Sequence, residues 1–373
     1  MKFRINHTVF LRLFSRAGAI ADRSAKFPIL SHGLLHAEGD EISLTATNLE
    51  MWTTTTGPAQ VERPGAAALP VGLLLDIIKK MPNGCEIEVT VEPDVQASVR
   101  AGRSRFSIGT MPVADFPALD VQSMNTRFPL SADDLRRIIK CTQFAVSTEE
   151  SRYYLNGIYL HLLEATGVRS LLAVATDGHR LARLAVPAPA ELRAMPGIIV
   201  PLKMVSEIAR LVQDHEDAVT IELSETLIRL GIGQTVLTSK LIDAAFPDYE
   251  RVIPSNNDKR LDISNKALAA AIDRMAVISG RKLCVVKMSV RGHNITVTTD
   301  NKDTGASAVE DVDIVSYTGD ELNIGFSARY MGDVLSIIDG SSVRIDIADH
   351  VTPIIVTDPA RSDFLAIVMP IRV

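Results

Sequence analysis

One pattern of residues recurs three times along this chain, and a chain built on such a repeat folds as copies of one unit. Each copy opens on a short alternating segment followed by an amphipathic stretch: Lys2-Phe3-Arg4-Ile5 before residues 9–17, Arg127-Phe128-Pro129-Leu130 before 131–142, and Arg260-Leu261-Asp262-Ile263 before 264–279. In the second copy Leu135, Ile138, Ile139 and Thr142 fall at helical spacing behind Ser131, which is placed to cap the first turn, and Ser264 stands in the same place in the third. About 40 residues further on each copy shows an alternating strand and a turn: Leu44-Thr45-Ala46-Thr47-Asn48, Ala173-Val174-Ala175-Thr176-Asp177-Gly178, and Thr296-Val297-Thr298-Thr299-Asp300-Asn301. The offsets from Thr47 to Thr176 (129) and from Thr176 to Thr299 (123) agree with those between the opening segments, 125 and 133, so the register is shared.

A second amphipathic helix is expected in each copy, at residues 71–80, 202–213 and 327–338, followed by an alternating strand such as Cys85-Glu86-Ile87-Glu88-Val89 or Val343-Arg344-Ile345-Asp346-Ile347. Two copies close on a Phe-Pro corner, Phe116-Pro117 and Phe246-Pro247, 130 residues apart. The expected class is α+β: three repeated domains of antiparallel sheet with two helices each, over residues 1–123, 124–256 and 257–373. At 373 residues and 46% apolar the chain can bury that many cores.

The net charge of −6 argues at first against a nucleic-acid partner. Its distribution argues the other way. The six expected helices hold twelve Lys and Arg against six acids, leaving −12 on everything else. An acidic body with cationic helices suits a protein in which one set of surfaces attracts phosphates. The competing reading is that Lys and Arg are good helix formers whose stems shield apolar surface. No apolar run reaches the length of a membrane span, and the first residues lack a secretory signal, so a cytosolic protein is expected. Cys85, Cys141 and Cys284 lack the paired spacing of a zinc site or a disulfide framework and read as reduced thiols; no metal or cofactor is expected. The sequons at Asn6 and Asn294 matter only in a secreted chain.

Phosphate-binding glycine loops, zinc-protease motifs and nucleophile elbows are all missing, and Gly231-Ile232-Gly233 lacks both a third glycine and a Lys-Ser/Thr ending. One cluster invites a catalytic reading: Thr176-Asp177-Gly178-His179-Arg180 puts a carboxylate two residues from an imidazole. The same residues also describe a tight Asp-Gly turn with a histidine that binds the loop or a partner. Arg152-Tyr153-Tyr154-Leu155-Asn156-Gly157 reads as a strand, on which adjacent tyrosines point to opposite faces and one is left to stack on a base or a peptide.

These blocks, with Phe246-Pro247-Asp248-Tyr249, Phe27-Pro28-Ile29-Leu30, Asn48-Leu49-Glu50-Met51, the run from Gly102 to Ser107 and the ending Val368-Met369-Pro370-Ile371-Arg372, resemble the bacterial sliding clamp family, the beta subunits of DNA polymerase III, in order from Met1 to Val373. The resemblance implies a DNA clamp fold: a non-catalytic, head-to-tail homodimer ring around double-stranded DNA, with the helices lining the hole and contacting the backbone without sequence readout. It further implies a groove for linear motifs of the replicative polymerase alpha subunit, the clamp loader, other polymerases and mismatch-repair or ligase proteins. The matching groove positions are Arg152, Tyr154, Leu155, Thr176, Gly178, His179, Arg180, Leu181, Pro247, Arg251, Val252, Tyr330, Val351, Val368, Met369, Pro370, Ile371 and Arg372, together with Leu283, Ser327 and Pro353, where the family more often carries other residues. Arg23, Lys26, Lys79, Arg137, Tyr153, Tyr154 and Lys203 match DNA-facing positions, and Phe106, Val277 and Ile278 the subunit interface. Ser24 and Glu149 depart from the pattern, and Glu149 would repel phosphate. Two other readings compete: an oligomeric scaffold that binds peptides without encircling DNA, and a hydrolase using Asp177 and His179.

Overall fold

The computed structural model describes residues 1–22, 26–92, 96–119, 123–165, 167–279, 284–292, 294–301 and 303–373. The chain divides into two compact units: residues 1–133 with 189–192 and 206–241, and residues 134–188 with 193–205 and 242–373. The described α-helices are α1 (His7–Ile20), α2 (Val71–Ile78), α3 (Ala132–Thr142), α4 (Leu202–Val212), α5 (Asn265–Ser279) and α6 (Ala328–Leu335), two per expected repeat. Caps account for where they begin. Asn6 Oδ1 accepts from Thr8 N at 2.9 Å ahead of α1, Ser264 Oγ from Ala267 N at 3.3 Å ahead of α5, and Ser327 Oγ from Tyr330 N at 3.4 Å ahead of α6. The residues 79–80 and 336–338, expected to be helical, instead close α2 and α6 in tight turns, with Lys80 N donating to Ile77 O and Ile337 N to Val334 O. Pro82 and Gly340 follow directly, and neither continues a helix.

The first unit holds a five-stranded sheet in the order Gln60–Arg63, Lys2–Asn6, Glu86–Val91, Gln96–Ala101, Ser104–Gly109. Its second sheet has eight strands and joins two repeats: Thr235–Lys240 pairs antiparallel with Met51–Pro58, Leu237 opposite Thr53. The repeats therefore share sheets instead of sealing their own edges. α1 buries Phe10, Leu13, Phe14, Ala17 and Ile20, the i, i+3, i+4, i+7 stripe of an amphipathic helix, and Phe10 meets Phe14 edge-on at 4.8 Å. The second unit carries one twelve-stranded sheet in which Arg180–Pro187 pairs with Arg361–Val368, again joining two repeats.

The repeated turn is the same in atomic detail in two copies. Thr47 Oγ1 donates to Met51 O and accepts from Leu49 N, while Asn48 Oδ1 accepts from Glu50 N and Met51 N. Thr176 Oγ1 likewise donates to Arg180 O and accepts from Gly178 N, while Asp177 Oδ1 accepts from His179 N and Arg180 N. In the third copy the strand runs on to Asn301 and the turn follows it: Asn301 Oδ1 takes the N–H groups of Asp303 and Thr304, and Thr299 Oγ1 donates to Val285 O.

One expected strand is absent. Glu150–Leu155 is a 3-10 segment interrupted at Arg152, with Arg152 N donating to Glu149 O at 3.2 Å and Asn156 N to Tyr153 O at 3.0 Å. Those local bonds use backbone groups that a ladder would need. Tyr153 is nonetheless exposed, at 55%, and Tyr154 half-buried, their rings edge-on at 6.0 Å.

Candidate functional site

The densest polar construction in the second unit is built on Arg180. Its side chain is 5% exposed, and Nε donates to Asp177 Oδ2 at 3.0 Å while Nη1 donates to Asp333 Oδ2 from α6. The guanidinium lies over two rings, Tyr330 at 4.6 Å and Phe144 at 5.3 Å from their centroids. A buried cation between two carboxylates and two π-faces is fully compensated, which a buried charge requires. Strand register places Arg180 opposite Val368, and Met369 N continues the pairing by donating to His179 O at 2.9 Å. The turn of the second repeat, helix α6 of the third and the C-terminal ending thus converge on one residue.

The other matched positions differ in exposure and partners. The His179 ring lies parallel to Tyr330 at 6.0 Å. Gly178, at φ 87°, is where a Cβ would come within 2.8 Å of Arg152 Nη1, and that same nitrogen donates to Asp177 O at 3.4 Å. Val252, Val351 and Met369 are exposed apolar side chains, and Pro353 precedes the strand whose Ile354 pairs with Val368. Pro247 and Arg251 are exposed, with Arg251 held to Asp248 at 2.7 Å. Pro370 and Ile371 are half-buried, Ile371 bridging to Gly325, and Arg372 is exposed. Leu155, Leu181 and Val368 are buried. Ser327 is buried too, engaged as the cap of α6. Leu283 lies outside the described residues. Asp333 and Phe144, which complete the knot, were not singled out from sequence. Asp333 is three residues from Tyr330 on a helix and so on one face with it; Phe144 carried no such signal.

The hydrolase reading fails on this geometry. The Asp177 carboxylate is consumed by two backbone N–H groups and Arg180, and His179 presents its ring to Tyr330, so the carboxylate–imidazole pair that acid–base work needs is not formed.

The matched DNA-facing residues separate into two kinds. Lys26, Lys79 and Lys203 are exposed. Arg137 is already engaged, donating to Asp134 Oδ1 at 3.1 Å and to Asp363. Arg23 lies outside the described residues. In the first unit the cations of α1 and α4 converge: burial, and then the nearby Arg210, push the Arg16 guanidinium below its usual range, with Arg12 adding to the repulsion. Glu149 is paired with Arg152 at 3.3 Å, which offsets its charge. Phe106 is half-buried on the outermost strand of the five-stranded sheet, Val277 stands out from α5 at 79% exposure, and Ile278 is half-buried.

Repeated sheet-and-helix domains that share their sheets define an α+β repeat protein. Comparison with known proteins makes this specific. Residues 1–120, 129–248 and 250–372 match the N-terminal, central and C-terminal domains of the DNA polymerase III beta subunit. The chain is 40% identical to the beta sliding clamp of Caulobacter vibrioides and 35% identical to that of Escherichia coli, with 100% of each chain covered in both cases. The clamp of Caulobacter crescentus superposes with a TM-score of 0.98 at 40% identity, covering 100% of this chain and 99% of the other. A Bartonella birtlesii clamp bound to griselimycin gives 0.96 at 37%, with 100% of both chains covered. The chain belongs to the DNA polymerase III beta subunit family, the bacterial beta sliding clamps. It is a non-catalytic processivity factor, with DNA and polymerase as its partners.

Proposed function

We propose that two copies close head to tail into a ring around duplex DNA, with domains over residues 1–123, 124–256 and 257–373. The observation that carries this reading is a pair of open, oppositely charged sheet edges. Ser104–Gly109 ends the five-stranded sheet, and Arg103 and Arg105 are exposed there. In the second unit, residues 306–313 of Ala306–Thr318 pair on one side with Asn294–Asn301, and the other side is met by Lys259–Ser264 only beyond residue 313. That open stretch presents Val309, Asp311 and Asp313. Strand addition between unlike edges of two copies supplies backbone hydrogen bonds, opposite charges fix the register, and Phe106 finds apolar cover from Val277 and Ile278. A heterologous contact made twice closes a ring.

Within the ring the exposed helix lysines, with Arg12, Arg16 and Arg210, make weak, exchangeable phosphate contacts, so the protein slides without reading bases. The groove around Arg180 takes linear motifs of the polymerase alpha subunit, the clamp loader, other polymerases and mismatch-repair or ligase proteins, and griselimycin, which a Bartonella clamp binds, is a further ligand proposed for it. Such a protein works in the cytoplasm; among the described residues no helix is long and apolar enough to cross a membrane. The test is retention on nicked circular DNA after loading by a clamp loader and ATP, at moderate salt. Retention on the circle with rapid loss on linearisation is expected. Equal behaviour on both forms, from an intact dimer and an active loader, favours the peptide-binding scaffold instead.

A further inference from the structure

The two Phe-Pro corners stand at equivalent places in their units, and their surroundings differ. In the second unit Tyr249 is buried in a cluster with Val174, Leu181 and Ile367, packed against Tyr159, Phe246, Ile253 and Leu365. The Tyr249 hydroxyl meets His161 Nε2 at 2.9 Å, and the Tyr159 ring stacks on Phe246 at 4.7 Å. Sheet register locates the matching positions in the first unit. Leu34 opposes Thr45 as Tyr159 opposes Val174, and Trp52 opposes Thr238 as Leu181 opposes Ile367. By the same register His36 stands where His161 does.

In the first unit Leu34, Thr45, Trp52 and Thr238 line an open cleft of about 550 Å³, walled also by Phe116, Leu119 and Val236 and by the Glu222–Arg229 ion pair; His36 lies two residues along the strand from Leu34. Among the described residues no 3-10 turn follows Pro117 to fill it. Tyr249 opens a 3-10 turn, Tyr249–Val252, and Ile253 caps it, inside a connection that runs twelve residues on from Pro247 to Lys259. The connection from Pro117 to Thr126 is nine residues, and Leu119 stands in place of the tyrosine. His36 is exposed. Trp52 is 8% exposed, and its buried Nε1–H has no acceptor among the described residues, a condition that proteins ordinarily avoid.

We propose that this cleft is a second peptide site, which takes a linear segment carrying a tyrosine with a branched aliphatic residue four positions later. The chain's own Tyr249–Ile253 turn is the internal template for the ligand. The tyrosine ring packs between Leu34, Trp52 and Phe116, and its hydroxyl reaches His36. Ring closure and use of the Arg180 groove are not needed for this site.

Trp52 is the single tryptophan of the chain, so its emission reports on the cleft directly. The probe is the acetylated, amidated hexapeptide of residues 248–253, titrated into the full-length protein. A saturable change in Trp52 emission is expected. Replacing the probe tyrosine with phenylalanine, or making His36→Ala, weakens binding about threefold to tenfold, the range of one hydrogen bond. Val236→Arg, at an exposed wall position, removes the response while the far-UV dichroism stays unchanged. Griselimycin added first leaves the titration unaltered, because the Arg180 groove is elsewhere. No saturable change at millimolar peptide overturns the proposal, as does a change that survives Val236→Arg or is displaced by griselimycin.

Discussion

Replacing Arg180 by methionine separates the two things this residue does. Methionine keeps an unbranched stem against Tyr330 and Phe144 but leaves Asp177 and Asp333 without their shared cation. Removing one partner of a buried pair costs about 3–5 kcal/mol. Here the arginine and Asp177 side chains are 5% and 16% exposed, but Asp333 is 38% exposed and rehydrates in part, so the lower end applies, about 3 kcal/mol. Loss of the cation over Tyr330, 4.6 Å from its centroid, adds about 0.5–1 kcal/mol. For a unit of this size each kcal/mol shifts Tm by roughly 2–4 °C, so a fall of about 10 °C is expected. The control is Arg251→Met. Its ion pair to Asp248 is as short, 2.7 Å, but 85% and 55% exposed, and its loss stays within about 0.5 kcal/mol. Denaturant unfolding followed by circular dichroism reads both variants, and calorimetric titration with griselimycin, the ligand proposed for this groove, reads whether the His179–Tyr330 wall still holds. Equal cost for the two substitutions would refute the argument that burial, not the ion pair itself, gives Arg180 its weight. Full griselimycin affinity in Arg180→Met would show that the knot does not position the groove.

Burial pushes the Tyr249 hydroxyl up to about 12, above the unfolded value of about 10. Because the folded value is the higher, the stability this group lends is complete below pH 10 and is lost as the pH rises toward 12. Tyr249→Phe removes that stretch of the stability profile, and an unchanged alkaline limb would count against the assignment. Lys203 is exposed while Arg137 already serves Asp134 and Asp363. Lys203→Ala is therefore expected to lower the salt slope of DNA affinity by about 0.9 and Arg137→Ala by clearly less, measured by titration at several ionic strengths. Equal slopes would mean that the ion pairs open when DNA arrives.

The helices were legible because their cause is local: a cap residue and an apolar stripe are both written in consecutive positions, as at Ser327 and along Phe10, Leu13, Phe14 and Ala17. The strand assigned to Tyr153 and Tyr154 failed because aromatic content says what a residue packs against, and the 3-10 bonds at Glu149 and Tyr153 were decided by the chain's path. The groove's exposed members came from resemblance alone, and its center of charge was only half visible. Asp177 beside Arg180 read as potential chemistry until Asp333, 153 residues on from Arg180, supplied the second carboxylate. Sharing of sheets between repeats had no signature at all, since Leu237 and Thr53 carry nothing that says they are neighbours.

Between the first two copies of the turn the hydrogen bonds are kept while the residues change. In the first two copies the turn after the threonine needs a left-handed residue at its third position; Gly178 meets it at φ 87° without strain, and Leu49 meets it at φ 73° as the one non-glycine residue with positive φ among those described. A leucine there costs about 1–2 kcal/mol, yet the turn's bonds to Thr47 and Asn48 are all made. In the second copy the glycine gives Arg152 room to approach, because a Cβ would crowd its guanidinium. The strain is tolerated at Leu49 and relieved at Gly178, where the turn carries the Arg152 contact. By that logic the open cleft beside Trp52 and the filled cluster around Tyr249 are two uses of one corner, the second sealed by the chain and the first left for another segment to seal.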